Sequence, residues 1–502
     1  MRSTHVIKFL FIIALAFLGI PIISEELIAR AGGGGGGHGG GSHGGGSGHS
    51  SGGFSGWGHS SGGFHGGSGN SHFSPWAAAI ILIVLLFLAF RLILFLQKVS
   101  SAMSTTLASN ENKPFIKIDT LKEFQARNPD FDLSEFLQKI RKAFIEVQTS
   151  WSDQNTNRMR RFITDGVYQR FNTQFKMMKL LQQTNPLSNI KIGNIWVDKI
   201  EQDGLYDIMQ VGIEASMDDK FVCALNHELD EEGLQSFVEF WSFIRKRGVP
   251  KKDIYDSDKC PNCSAPLPEN IGEVCKCTHC NAMVNSGEFD WILSEITQKD
   301  DYCSNDAFSE KLGNLESTIH DMVSVYGDFS VQLVEDKASN AYMQIMTAKA
   351  MQDPSVMRRF VSDELFQLLA PKIAMNQEIF NRIFLNKVTL IGAQKKENKN
   401  ILNFAVICSI QRVLVSNNRL EVVDPDIMTT EEVIVMTRDA LAGAGKGSIY
   451  QHTCPSCGGP VKDTLDIKCS YCGSLLNSTE NDWVVSALMN RSEFSQYYAL
   501  NK

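Results

Sequence analysis

Eight of the 12 cysteines fall into four C-x-x-C pairs, and the pairs come two by two. Cys260-Pro261-Asn262-Cys263 precedes Cys277 and Cys280, and Cys454-Pro455-Ser456-Cys457 precedes Cys469 and Cys472. Paired knuckles are the spacing of a four-thiolate metal site rather than of a disulfide framework. They also expose an internal repeat. The two ribbons are 194 positions apart, from Cys260 to Cys454. Met159-Arg160-Arg161-Phe162-Ile163-Thr164-Asp165 returns 198 positions later as Met357-Arg358-Arg359-Phe360-Val361-Ser362-Asp363, and Asp290-Trp291 returns as Asp482-Trp483 after 192. Three landmarks in one order at nearly constant offset mark a tandem duplication. Its period is too long for a solenoid.

The start of the chain has a different character. Arg2 and Lys8 precede an apolar run from Phe9 to Ile23, followed by Ala29-Arg30-Ala31. A basic start, a short apolar middle and small residues at the end form a secretory signal, cleaved or kept as an anchor. Residues 32–75 are dominated by Gly and Ser and hold six of the 11 histidines. Such a segment buries too little apolar surface to offset ordering entropy, so a polar tether is expected, with metal binding by the histidines as the alternative. Trp76 to Leu96 carries one charge, Arg91, and 21 residues at about 1.5 Å each cover a bilayer core of about 30 Å. Lys98 follows, while 32–75 contain no Lys or Arg. The charge bias places the tether outside and everything after Lys98 in the cytoplasm.

Within copy one, Leu133, Phe136, Ile140, Phe144 and Val147 recur at helical spacing, and the helical pattern runs to about Leu181, where Asn185-Pro186 breaks it. Leu205, Met209, Val211, Ile213 and Ala215 then alternate as in a strand, and Phe237 to Ile244 reads as a buried strand. Copy two repeats the plan, with helices through about Phe384, alternation over Leu402, Phe404, Val406, Cys408 and Ile410, and Val433 to Met436 as the late strand. Helices followed by an antiparallel sheet predict an α+β fold: two tandem cone-shaped domains, each enclosing an apolar cavity and each carrying a zinc ribbon, behind one transmembrane helix.

These residues resemble a known family. The run Ile140 to Phe171, with Ser150-Trp151-Ser152-Asp153 and the Met159 to Asp165 motif, is similar to the helical start of the Tim-forty-four-like domain. So are Phe240-Trp241-Ser242-Phe243-Ile244-Arg245 and Trp291-Ile292-Leu293. Copy two resembles it more weakly, because Ile434-Val435-Met436-Thr437-Arg438 lacks the tryptophan. The resemblance implies a nuclear-transport-factor-two-like cone, membrane attachment, and protein tethering beside a translocation machine. The exported start, glycine tether and span suggest a bacterial cytoplasmic membrane.

The expected organisation is a signal peptide or signal anchor at 1–31, a disordered tether at 32–75, a transmembrane helix at 76–97 and a juxtamembrane linker at 98–130. Copy one follows at 131–300 with its ribbon at 259–286, then a linker at 301–335, then copy two at 336–500 with its ribbon at 453–478.

Copy one has a fifth cysteine near its ribbon, Cys275. Cys280 precedes Asp290 by ten residues, as Cys472 precedes Asp482, so Cys277 and Cys280 match Cys469 and Cys472 and Cys275 is spare. The ligand sets are therefore Cys260, Cys263, Cys277 and Cys280, and Cys454, Cys457, Cys469 and Cys472. Four thiolates leave no open coordination position, which predicts two structural Zn2+ ions and no catalytic metal. Acidic residues outnumber basic ones, 56 to 48, and Lys259 and Lys276 lie among Asp256, Asp258, Glu269 and Glu273, so no nucleic-acid partner is expected. No phosphate loop or nucleophile motif occurs, and Asp198 with His227 is the one acid–base pair worth nominating. The reading is a non-enzymatic tether whose partners are the lipid bilayer and a protein or apolar ligand near it. An enzyme, or a carrier using the cone cavity for a lipid or small ligand, is the alternative.

Overall fold

The computed structural model describes residues 117–500, apart from 273, 304–310, 314, 326–328, 443–453, 455, 458 and 460–466. The expected signal, tether and span lie outside the described residues. Among those described, no helix is long and apolar enough to cross a membrane.

Copy one runs β1 (Lys117–Asp119), α1 (Leu121–Arg127), α2 (Leu133–Ser152), a 3-10 turn (Arg160–Phe162) and α3 (Asp165–Leu180). It continues with β2 (Gln183–Thr184), β3 (Leu187–Asp203), β4 (Tyr206–Cys223), β5 (Glu231–Lys246), the first ribbon, β6 (Ile292–Gln298) and α4 (Lys299–Cys303). Copy two runs α5 (Leu315–Val325), α6 (Val331–Met351), a 3-10 turn (Pro354–Met357), α7 (Asp363–Ala374), β7 (Glu378–Lys396) and β8 (Lys399–Ser416). Then come β9 (Arg419–Val422), β10 (Met428–Asp439), the second ribbon, β11 (Val484–Asn490) and α8 (Arg491–Leu500).

The fold is α+β with two antiparallel sheets. One has the order β1-β3-β4-β5-β6 with β2 on β4, the other β7-β8-β10-β11 with β9 on β8. The shared order β3-β4-β5-β6 and β7-β8-β10-β11 shows the duplication in three dimensions. Even the irregularities repeat. The β3–β4 ladder shifts register between Ser188 and Lys191, Ile192 and Ile195, and Val197 and Lys199. The β7–β8 ladder shifts between Phe380 and Arg382, Leu385 and Lys387, and Leu390 and Gly392. Each bulge bends its strand, so both hairpins curve at matching places.

Local chemistry explains the helices. Asp132 caps α2, Thr164 caps α3, Ser330 caps α6 and Ser362 caps α7, each accepting from an amide in the first turn. The predicted stripe of α2 is buried at Phe136, Ile140, Phe144 and Val147. Phe144 meets Trp241 with ring centroids 5.5 Å apart, and Phe136 meets Trp291 at 5.4 Å. The interior of the first curved sheet is thus packed with aromatic side chains.

Aromatic packing stands where copy one was expected to enclose a cavity, and the structure departs from the sequence reading in two further places. The leading helices of copy two end at Ala374, and Phe384 belongs to β7, a strand from Glu378 that is buried on both faces. An apolar run without alternation carries no period to tell strand from helix. Residues 301–335, expected as a linker, include α5, whose Leu315, Ile319 and Met322 are buried in the core.

The described residues fall in one compact unit, and one hydrophobic core runs through both copies. α3 and β6 of copy one pack against α6 and β7 of copy two. The seam is polar as well as apolar. Asp203, at the end of β3, accepts from the Val331 and Gln332 amides at 3.0 and 2.8 Å and so caps α6 from the other copy. The Thr164 hydroxyl donates to Asp336 at 2.6 Å, Thr173 and Thr347 share a hydrogen bond of 2.7 Å, and Arg170 donates to Ser339 at 3.0 Å.

Candidate metal centres

Each ribbon is built from tight turns that aim sulfur atoms inward. In copy one the Ser264 amide donates to the Cys260 carbonyl and the Asn281 amide to the Cys277 carbonyl, both at 2.9 Å. Ser264 and Asn281 adopt left-handed φ of 61° and 60°, and Gly473 does the same in copy two at 73°. The amides of Asn262, His279, Gly459 and Tyr471 each point at the sulfur two residues earlier, at 3.4 Å. These donors stabilise thiolate charge.

The eight cysteines assemble into two groups: Cys260, Cys263, Cys277 and Cys280, and Cys454, Cys457, Cys469 and Cys472, the sulfurs in each within 4.8 Å of one another. Cys260 to Cys280 and Cys263 to Cys277 are 3.7 Å apart, Cys454 to Cys472 is 3.5 Å and Cys457 to Cys469 is 3.6 Å. A disulfide would require about 2.05 Å. A tetrahedral site with metal–sulfur bonds of about 2.3 Å, as zinc makes with thiolates, has edges of about 3.8 Å. The donor set and its spacing fit such an ion. Burial pushes the Cys260 thiol up to about 12, whereas the Ala282 amide draws Cys280 down to about 6. A cation among the sulfurs is what allows all four to ionise together.

Cys275 lies outside the four-sulfur group. It is fully buried in the main core, and burial pushes its thiol up to about 11. Asp198 and His227 are each engaged elsewhere: Asp198 accepts from Tyr302 at 2.7 Å, and His227 is 2.9 Å from Asp230.

The repeated motif ties the first ribbon to its domain. Arg160 pairs with Asp165, as Arg358 does with Asp363. Arg160 also donates to the Gly272 carbonyl at 3.1 Å, and Arg161 to the Ser257 carbonyl. Phe162 stacks on Tyr255 at 5.0 Å, and the Tyr255 hydroxyl donates to the Trp291 carbonyl at 2.7 Å.

A pocket of about 280 Å³ opens between the α1–α2 junction and the segment following β5. Phe124, Phe131, Phe136 and Trp291 supply its apolar lining, and Pro129, Val249 and Pro250 also line it. Four of its basic side chains are in ion pairs, while Arg245 and Arg247 donate to the Val249 and Gly204 carbonyls. Lys139 bonds Asp290, Arg127 bonds Asp119 and reaches Asp207 at 3.2 Å, Lys246 bonds Glu288 at 2.8 Å, and Lys251 bonds Glu135. Burial raises Asp290 and Asp207 from the ordinary aspartate value, against the pull of Lys139 and Arg127. Sequence reasoning missed this pocket. The visible signals were Asp290-Trp291, used only as a repeat landmark, and the basic residues of 245–252.

Residues 119–255 match the family model of the Tim44-like domain, from the end of β1 to just before the first ribbon. No curated protein matches the chain. Among solved structures, an "Ntf2 like protein involved in plasmid conjugation" is similar over 68% of this chain and 96% of that one, at 9% identity and a TM-score of 0.15, a likeness that carries no inference.

Proposed function

We infer that the chain is a membrane-anchored binding and tethering protein, that each ribbon holds one Zn2+ ion serving the fold, and that a protein partner engages copy one at the charged pocket. What carries the reading is the combination of a packed sheet interior and an open pocket most of whose basic groups are tied into ion pairs. Phe136, Phe144, Trp241 and Trp291 interlock where a cone cavity was expected, which favours binding on the surface over chemistry inside. The Tim44-like match over 119–255 supports the same direction, since it includes α1, α2 and β5 around the pocket. The pocket is at the small end of ligand sites, which run from about 300 to 1,000 Å³, and suits a side chain of a docking segment better than a whole cofactor.

The test is a photo-crosslinking residue at Val249 in the full chain in its native membrane. A discrete protein adduct is expected there and not from the same probe at Leu234, which is 69% exposed in β5. Equal labelling at both positions would remove the pocket as the binding site.

A further inference from the structure

The two copies meet head to tail. α3 of copy one is covered by α6 of copy two, and eleven of its sixteen residues are buried. Its counterpart α7 has two buried residues of twelve, Leu365 and Ile373. The positions left open in α7 are those that α3 uses at the seam. Gly166, Gln169, Arg170, Thr173 and Gln174 correspond, 198 positions on, to Glu364, Gln367, Leu368, Pro371 and Lys372, all exposed. Leu368 is 57% exposed, and Met375, just beyond the helix, is 81% exposed.

A further head-to-tail unit cannot use this face in the same way. A Cβ at Gly166 would stand 2.3 Å from Asp336 Oδ1 and 2.7 Å from the Asp336 carbonyl, so the seam needs glycine there. Glu364 fills that place in α7, and Pro371 replaces the hydroxyl of Thr173. The stripe is instead complementary to itself. Glu364 and Lys372 lie four residues on either side of Leu368, about 12 Å apart along the axis. An antiparallel second α7, related by a two-fold through Leu368, sets each Glu364 against the other's Lys372 and Leu368 against Leu368. A parallel pairing would oppose like charges. We propose that α7 is the contact through which two copies of this chain pair, isologously and antiparallel. One helix crossing buries less than a standard interface, so the pairing is weak in dilute solution and cross-linking reads it better than size does.

The full chain carrying Leu368→Cys, solubilised in detergent with zinc and exposed to mild oxidant, is expected to give a disulfide-linked dimer. Its yield should be several-fold above both the unsubstituted chain and Met428→Cys, which is exposed on β10. In the Leu368→Cys background, Lys372→Glu is expected to cut that yield several-fold and a further Glu364→Lys to restore it, with metal content unchanged throughout. Leu368→Cys linking no better than Met428→Cys overturns the pairing. A yield indifferent to the charge reversals overturns it equally, because the antiparallel register requires Glu364 to face Lys372.

Discussion

Lys139 and Asp290 are 151 residues apart in sequence and bonded in space, and Lys337 and Asp482 repeat the bond in copy two. Arg160 with Asp165 and Arg358 with Asp363 form a second repeated pair. The duplicated motif is therefore a set of fastenings: an ion pair, a helix cap at Thr164 or Ser362, and a bridge from Ile163 to Leu293 or from Val361 to Val485. None of these contacts involves the two four-cysteine groups. It explains why Met159 to Asp165 was legible as a repeat while its role was not, because a buried pair joins residues that only the fold brings together. Asp336 is an acidic residue of the seam. Burial pushes it up to about 7, against bonds from the Thr164 hydroxyl and the Gly166 amide. The folded chain therefore holds a proton that the unfolded chain, titrating at 3.8, releases. This contribution to stability is full at low pH, falls as pH rises from about 4 to about 7, and is flat above. Asp336→Asn should remove that slope, which is at most about 1.4 kcal/mol per pH unit for one group. Parallel urea titrations of the two proteins across pH 4 to 8 check it, and a constant difference between them would refute the assignment.

The two ribbons share turns and sulfur spacing. The first is held by the Phe162–Tyr255 stack, the Tyr255 bond to Trp291 and Arg160 on Gly272. In the second, Arg358 and Phe360 are half-buried where Arg160 and Phe162 are buried. The full chain is expected to hold two zinc ions, and Cys277→Ser and Cys469→Ser should each leave one. An aromatic pair and a buried hydrogen bond are worth about 1 kcal/mol each, so releasing the first ribbon in Cys277→Ser should cost about 2–3 kcal/mol. Cys275→Ser should keep both ions and cost about 1–2 kcal/mol for placing a hydroxyl in the core. Metal analysis and denaturation of the three variants decide it: a lost ion in Cys275→Ser, or an unchanged stability in Cys277→Ser, would contradict the structure. The ribbons were legible because thiolate spacing is local. β3 and β7 were not. Bulges interrupt the alternation of β3, and burial on both faces removes it from β7.

At the scale of the whole molecule, the repeat suggested two separate domains, and the missing information was the seam. Asp203 capping α6 and Thr164 bonding Asp336 link positions more than 120 residues apart. Pairings of that kind leave no local period. Sidedness was read from an export-like start, a tether without Lys or Arg and a span with Arg91 and Lys98 at its C-terminal end, and on that reading a thiol reagent unable to cross membranes should leave all 12 cysteines unlabelled in intact cells. Labelling of ribbon cysteines without permeabilisation would place the domains outside. The seam makes the last prediction. Because α3 is buried by α6 and one core spans both copies, the unsubstituted chain should unfold in a single transition, releasing both metal ions together. Gly166 is the position where this unity is most easily broken. An added methyl collides with the side chain and the backbone carbonyl of Asp336, and the carbonyl is held in α6 and cannot turn aside. Gly166→Ala should lower stability by about 1–3 kcal/mol, as overpacking does, and by prising the copies apart should split metal release into two steps. Chelator-monitored unfolding distinguishes the outcomes. Two steps already present before the substitution would show the copies to be independent, and a single unshifted step after it would show that the seam does not couple them.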